Sequence, residues 1–172
     1  MGLFWVINDK ETRVAVWRIT ETEEELHALS QNGYRNQFSN AKRRIEWMTV
    51  RLILKYFNIE EPIEYTKNGR PFFGSGIQNI SISHSGPMVA VALNPKQYLG
   101  IDIEHIDRRY YSVAHKYLTP EELSWIDLEN QKQMALTWCI KESVYKLPWG
   151  SSKCFTKDIL VPQIEVHPDG GN

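Results

Sequence analysis

The sequence predicts an α+β protein, and three patterns carry that reading. Short stretches such as RVAVWRI, ISIS and MVAVAL alternate, or run apolar, over strand lengths. Two longer stretches, one near Ser39 to Phe57 and one around Leu136 to Leu147, repeat apolar residues at helical spacing. A break at Asn94 and Pro95 divides the chain into residues 1–94 and 95–172, and each half carries strands and helices of its own. At 172 residues the chain has the size of one domain and enough length to bury a core. No internal repeat and no low-complexity stretch is visible.

In order along the chain, LFWVIN and RVAVWRI read as an N-terminal hairpin. A short helix follows, with Thr20 as its cap and Glu23 in the capping-box position. The helix near Ser39 to Phe57 turns Ile45, Met48, Leu52 and Tyr56 to one side, and IEYT, ISIS and MVAVAL are strands. In YLGIDIEHID, Leu99, Ile101 and Ile103 alternate with Gly100, Asp102 and Glu104, so a strand here buries one face and shows both carboxylates on the other. Thr119, Pro120 and Glu122 open another helix as cap, first-turn proline and box acid. The helix through WCIKESVYK sets Leu136, Ile140, Val144 and Leu147 on a core stripe, with Trp138, Lys141, Glu142, Tyr145 and Lys146 on the opposite arc. DILVPQIEV reads as a final strand, and Asp169-Gly170 after it is a hairpin signal without a second arm. The expectation is an unpaired edge there, with self-association or marginal stability as its consequence.

The chemistry concentrates in four places. Asp102 and Glu104, about 6.5 to 7 Å apart on a strand, are close enough to hold one hydrated divalent cation, although an exposed edge strand also accommodates such a pair. Carboxylates alone suit Mg²⁺ or Mn²⁺, and no His or Cys stands at a zinc spacing. Glu142 and Lys146 stand four apart, which is the spacing of an ordinary surface ion pair and equally of an acid beside a phosphate-binding base. Ser83 and His84 point to opposite faces of a strand, which does not suit a nucleophile and its base. They are either phosphate donors at a strand end or part of a serine-rich strand turning into a loop.

Fourth, Arg35, Lys42, Arg43, Arg44, Arg51 and Lys55 face Glu46 alone over one stretch, either as a solvated helix face or as a site for anions. The net charge of −1 provides no global basic field for nucleic acid or a membrane. Cys139 and Cys154 form no CxxC pattern, Cys139 borders the core face of its helix, and no secretory or membrane-spanning segment is visible, so the cytoplasm is the expected setting.

NGRP, ISISHSG, GIDIE and WCIKESVYK, in that order between about Lys42 and Ile159, resemble the 4′-phosphopantetheinyl transferases of the surfactin-synthetase-activating type. The resemblance implies two similar α/β subdomains related by a pseudo-twofold axis, with coenzyme A in the cleft between them. Residues 1–94 would then make the nucleotide and carrier contacts. Residues 95–172, short at their C-terminal end, would supply the metal and the catalytic helix. It implies Asp102, Glu104 and Glu142 as Mg²⁺ or Mn²⁺ ligands, and Ser83, His84, Lys141 and Lys146 as contacts to the phosphates of coenzyme A. Lys42 or Arg43 falls to the 3′-phosphate, and Arg70 stands where the family usually has lysine, which replaces a point contact by a fork.

The implied reaction transfers phosphopantetheine from coenzyme A to a serine of an apo acyl or peptidyl carrier protein and releases 3′,5′-ADP. Glu142 is the candidate base or metal ligand, and Lys146 counters phosphate charge. Two other readings remain at this stage: a metal-dependent nuclease, and a non-catalytic module that binds coenzyme A or a carrier protein.

Overall fold

The computed structural model describes residues 2–9, 11–30, 38–149 and 152–164. The chain divides into two compact units, Met1–Ile103 and Glu104–Asn172. The division falls after the Asn94-Pro95 break, because the acidic segment is tied back onto the first unit: Ile101 N donates to Ser81 Oγ at 3.1 Å and Ile103 N to Ser83 Oγ at 3.3 Å.

In the first unit, alternating apolar residues produce β1 (Leu3–Asn8) and β2 (Arg13–Arg18), which pair antiparallel as the expected hairpin. Asp9 Oδ1 accepts from Glu11 N at 2.8 Å and Thr12 N at 2.6 Å and so holds the turn. α1 (Glu23–Ser30) follows, and its capping box uses Thr22 and Glu25 rather than Thr20 and Glu23. The run Thr20-Glu21-Thr22-Glu23-Glu24-Glu25 leaves the register ambiguous, and only the later threonine makes both bonds of the box.

α2 (Ala41–Tyr56) starts at Asn40, whose side chain accepts from Arg43 N. It buries Met48 and Leu52 as expected, together with Thr49, Ile53 and Leu54. Tyr56, expected in the core, is 45% exposed, and Phe57 takes the buried position instead. β3 (Ile63–Tyr65) and β4 (Pro71–Phe73) form a small two-stranded sheet. β5 (Asn79–Ser85) and β6 (Met88–Asn94) are joined by Gly86 and Pro87, with Gly86 at φ 56°, a left-handed conformation that glycine adopts without strain. The main sheet has the order β1-β2-β6-β5, all antiparallel. α2 contributes Met48, Leu52, Ile53 and Leu54 to the same core cluster as Ala15, Trp17, Val89, Val91 and Leu93 of the sheet.

The second unit is helical in its described residues: a 3₁₀ turn at Tyr110–Val113, α3 (Ala114–Tyr117), α4 (Pro120–Leu123) and α5 (Gln131–Tyr145). Thr119 and Glu122 make both bonds of the predicted capping box. α5 is present where expected but turned about its axis. Met134, Ala135, Thr137 and Lys141 are buried, whereas Leu136 of the expected core stripe is 41% exposed. Its core collects Tyr110, Tyr117, Leu118, Ile126 and Met134, with Trp138 and Phe155 packed against them.

Two expected strands are not formed. Residues 99–104 make no ladder and are held by serine hydroxyls, and Asp158–Ile164 is irregular chain. Val161 N donates to the Glu122 carboxylate at 2.8 Å, a side-chain acceptor replacing a strand partner. Arg35 of the basic stretch and the Asp169-Gly170 signal lie outside the described residues. No helix among the described residues is long and apolar enough to cross a membrane.

Candidate active site

In the first unit β5 sends its alternate residues to two places. Ser83, buried, donates its hydroxyl proton to Asp102 Oδ1 at 2.7 Å and accepts from Ile103 N. In this structure that single proton goes to Asp102, and Ser83 orients its carboxylate.

His84, on the other face, is exposed, and its Nδ1 lies 3.3 Å from Glu46 Oε1. Lys42 Nζ approaches the same oxygen at 3.7 Å. Glu46 is itself buried, so one acid of α2 gathers two of the predicted phosphate-binding side chains. A cavity of about 480 Å³ adjoins them, with Arg43, Glu46, Trp47, Tyr65 and His84 in its wall. Gly69 and Pro71 reach the same wall on either side of Arg70, whose guanidinium lies 5.3 Å from the Tyr98 ring centre. Arg51 stacks at 4.3 Å on Trp47, and burial holds its pKa below the ordinary value, opposed by nearby Tyr65. The arrangement of cations, indole and open volume suits a phosphorylated nucleotide.

In the second unit Glu104 meets α5. Trp138 Nε1 donates to Glu104 Oε1 at 3.2 Å, and Arg108 Nη1 reaches the same oxygen at 2.5 Å. The indole is enclosed by Tyr117 at 5.0 Å and Phe155 at 5.9 Å between ring centres, both edge-on. Glu142 and Lys146 are half-buried at the end of α5. Glu142 opens on a second cavity, about 370 Å³, with Lys116, Tyr145, Lys153 and Phe155.

Lys141 departs from expectation. It is 0% exposed, and its ammonium group lies 2.8 Å from Glu122 Oε1, donates to Phe155 O at 2.9 Å, and donates also to Ile159 O. A lysine has three protons, and three acceptors surround this one. It holds the unit together from inside and presents no proton to a substrate phosphate.

Sequence reasoning named Glu46 and Glu122 without the partners the structure gives them, and did not single out Lys116 and Lys153, which line the cavity beside Glu142. Glu122 was legible only as a cap acid, because nothing local announces a partner on another helix. Glu46 stood out as the lone acid in a basic run, a signal that has structural meaning once Lys42 and His84 are seen to converge on it.

Among the described residues, no group of three or more His, Cys, Asp or Glu side chains could by itself hold a metal ion. Mg²⁺ commonly takes one or two carboxylates and completes its shell with substrate phosphates and water. Within the second unit Glu104 and Glu142 are both carboxylates, and that donor chemistry suits such an ion.

Residues 98–170 match the 4′-phosphopantetheinyl transferase superfamily. The superfamily match takes in the acidic segment, α5 and the chain after it, and it is less than half of the sequence. A Haemophilus influenzae protein described as a candidate 4′-phosphopantetheinyl transferase is 35% identical over 91 residues, 49% of this chain and 39% of that protein. The 4′-phosphopantetheinyl transferase AcpT of Salmonella typhi is 30% identical over 118 residues, 64% of this chain and 62% of AcpT. AcpT of Salmonella typhimurium matches at the same identity and over the same shares. This chain thus spans about two fifths of the first relative and about three fifths of the other two.

Proposed function

We propose that this protein transfers the 4′-phosphopantetheine group of coenzyme A to a serine of an apo acyl or peptidyl carrier protein, with release of 3′,5′-ADP. The observation that supports this reading most strongly is the hydrogen bond from Trp138 to Glu104. It joins GIDIE to WCIKESVYK, the two most specific motifs, although they lie far apart in the chain. The finer assignment, to the surfactin-synthetase-activating type with two similar halves, rests on the order of all four motifs in one sequence.

The chemistry divides among the residues as follows. The serine oxygen attacks the β-phosphorus, the bond from that phosphorus to the oxygen of 3′,5′-ADP breaks, and the serine proton passes to Glu142 directly or through water. Lys146 counters charge on the phosphates as it shifts to the leaving group. Arg43, Lys42, Arg70 and His84 hold the phosphates of coenzyme A, with Arg43 or Lys42 on the 3′-phosphate. Ser83 holds Asp102 in place, and Asp102, Glu104 and Glu142 are the groups that would hold Mg²⁺ or Mn²⁺. A bound divalent cation would supply Lewis-acid stabilisation of the pyrophosphate. The reading places the protein in the cytoplasm, with coenzyme A and a carrier protein as partners and without nucleic acid or membrane.

Incubation with coenzyme A, Mg²⁺ and a panel of apo carrier proteins tests the reading through released nucleotide. The expected result is 3′,5′-ADP in amounts equal to the carrier converted. Coenzyme A binding with no nucleotide released from any carrier would make the chain a binding module, and cleavage of plasmid DNA under Mg²⁺ would make it a nuclease.

A further inference from the structure

Lys141 and Glu122 form an ion pair with both side chains at 0% exposure, in the middle of the unit that carries Glu104 and Glu142. Burial of two charges is costly unless each is fully bonded, and here each is. The ammonium is shared by Glu122, Phe155 O and Ile159 O. The carboxylate accepts in addition from Thr119 N at 2.7 Å and Val161 N at 2.8 Å. The pair therefore ties α4, α5 and the irregular segment 155–161 to one point.

Phe155 belongs to that segment. Its ring packs edge-on against Trp138 and, at 5.2 Å, against Tyr145. Trp138 in turn directs its N–H to Glu104, and Glu142 follows Lys141 directly on the helix. A fixed ammonium thus sets the place of Phe155, the tilt of the indole, and through it the direction of one acid, while fixing the rotation of α5 that presents the other.

We propose that the buried Lys141–Glu122 pair is a positioning device for the acidic site, acting on Glu104 through Phe155 and Trp138 and on Glu142 through the rotation of α5. The inference rests on the reading that these acids serve the bound cation. It assigns Lys141 no contact with substrate.

The test uses the full chain and a double variant, Lys141→Met with Glu122→Gln. Glutamine keeps an acceptor for the cap, and removal of both charges together leaves no unpaired ion, so the variant is expected to unfold cooperatively near the parent midpoint. Mn²⁺ affinity, read from the paramagnetic resonance signal of the free ion, should fall by about tenfold or more, the usual effect of losing a group that orients a ligand. kcat should fall with it, while the KM for coenzyme A stays unchanged. Trp138→Phe, which keeps an aromatic ring between Tyr117 and Phe155 but removes the N–H, should weaken Mn²⁺ in the same direction and decides the question if the double variant does not fold. Parental Mn²⁺ affinity and kcat in a folded variant would overturn the inference, leaving the pair with a structural role only. A raised KM for coenzyme A with unchanged kcat would overturn it in favour of a phosphate contact. A parent protein that binds no Mn²⁺ and transfers nothing would overturn the acidic-site reading and this inference with it, an outcome distinct from a parent that binds Mn²⁺ beside a variant that binds it equally well.

Discussion

Glu142 and Arg43 carry the proposed reaction at the level of single side chains. Glu142→Gln keeps the shape of the side chain and removes its capacity to accept a proton, so turnover should fall by about 10² or more. Near-normal turnover in a folded Glu142→Gln variant at saturating Mg²⁺ would move the site elsewhere. Arg43 lines the first unit's cavity without sharing Glu46 in the way Lys42 and His84 do. Arg43→Ala should therefore raise the KM for coenzyme A by the loss of a charge-assisted contact, about 1.5 to 3 kcal/mol, and leave that for dephospho-coenzyme A nearly unchanged. Equal losses for both substrates would place Arg43 on the carrier protein or in the fold. At this scale the sequence singles out candidate residues more readily than it shows what they touch. Asp102, Glu104 and Glu142 are legible as candidates because acids alternate with apolar residues in one segment and one acid stands between two lysines in the other. Ser83 and Lys141 were legible as polar residues in the right motifs, but their partners are set by burial. The one proton of the Ser83 hydroxyl goes to Asp102, and the three protons of Lys141 meet three buried acceptors.

Elements were read most accurately where local chemistry decides them. The β1–β2 hairpin and the Thr119–Glu122 box follow from residues within a few positions of one another. Thr119→Ala should cost about 0.5 to 2 kcal/mol of stability, measured by chemical denaturation, and no loss would mean that the cap contributes nothing beyond the Glu122 network. α1 and α2 are joined by Arg44 and Glu23, with Nε to Oε1 at 2.5 Å and Nη2 to Oε2 at 3.0 Å. The hydrogen bond from Arg44 holds Glu23 below its ordinary value of 4.5. A lowered carboxylate stabilises the fold fully above the ordinary value and loses that contribution as the pH falls through the folded one. Glu23→Gln should weaken the protein at neutral pH and flatten the decline in stability on the acid side, and an unchanged acid slope would show that the pair is not coupled to folding. The misread elements share one cause. The acidic segment, the rotation of α5 and segment 155–161 are all fixed by side chains distant in sequence, Ser81, Ser83 and Glu122, and no period of two or 3.6 records such a partner.

The whole molecule separates into a unit with a nucleotide-sized cavity walled by Arg43 and His84 and a unit with two acids arranged around Trp138 and α5. The α+β class was legible from alternating and helical stretches. The position of the division was not, because it depends on serine hydroxyls that hold the acidic segment to β5 and not on the proline break. The central claim is transfer of a phosphopantetheine group under control of a divalent cation, and intact-mass measurement of an apo carrier protein after incubation with coenzyme A tests it most directly. The carrier should gain one phosphopantetheine group in the presence of Mg²⁺ and none in excess EDTA. Carriers that remain unmodified with Mg²⁺ would contradict the transfer, and undiminished modification in EDTA would contradict the role given to Asp102, Glu104 and Glu142.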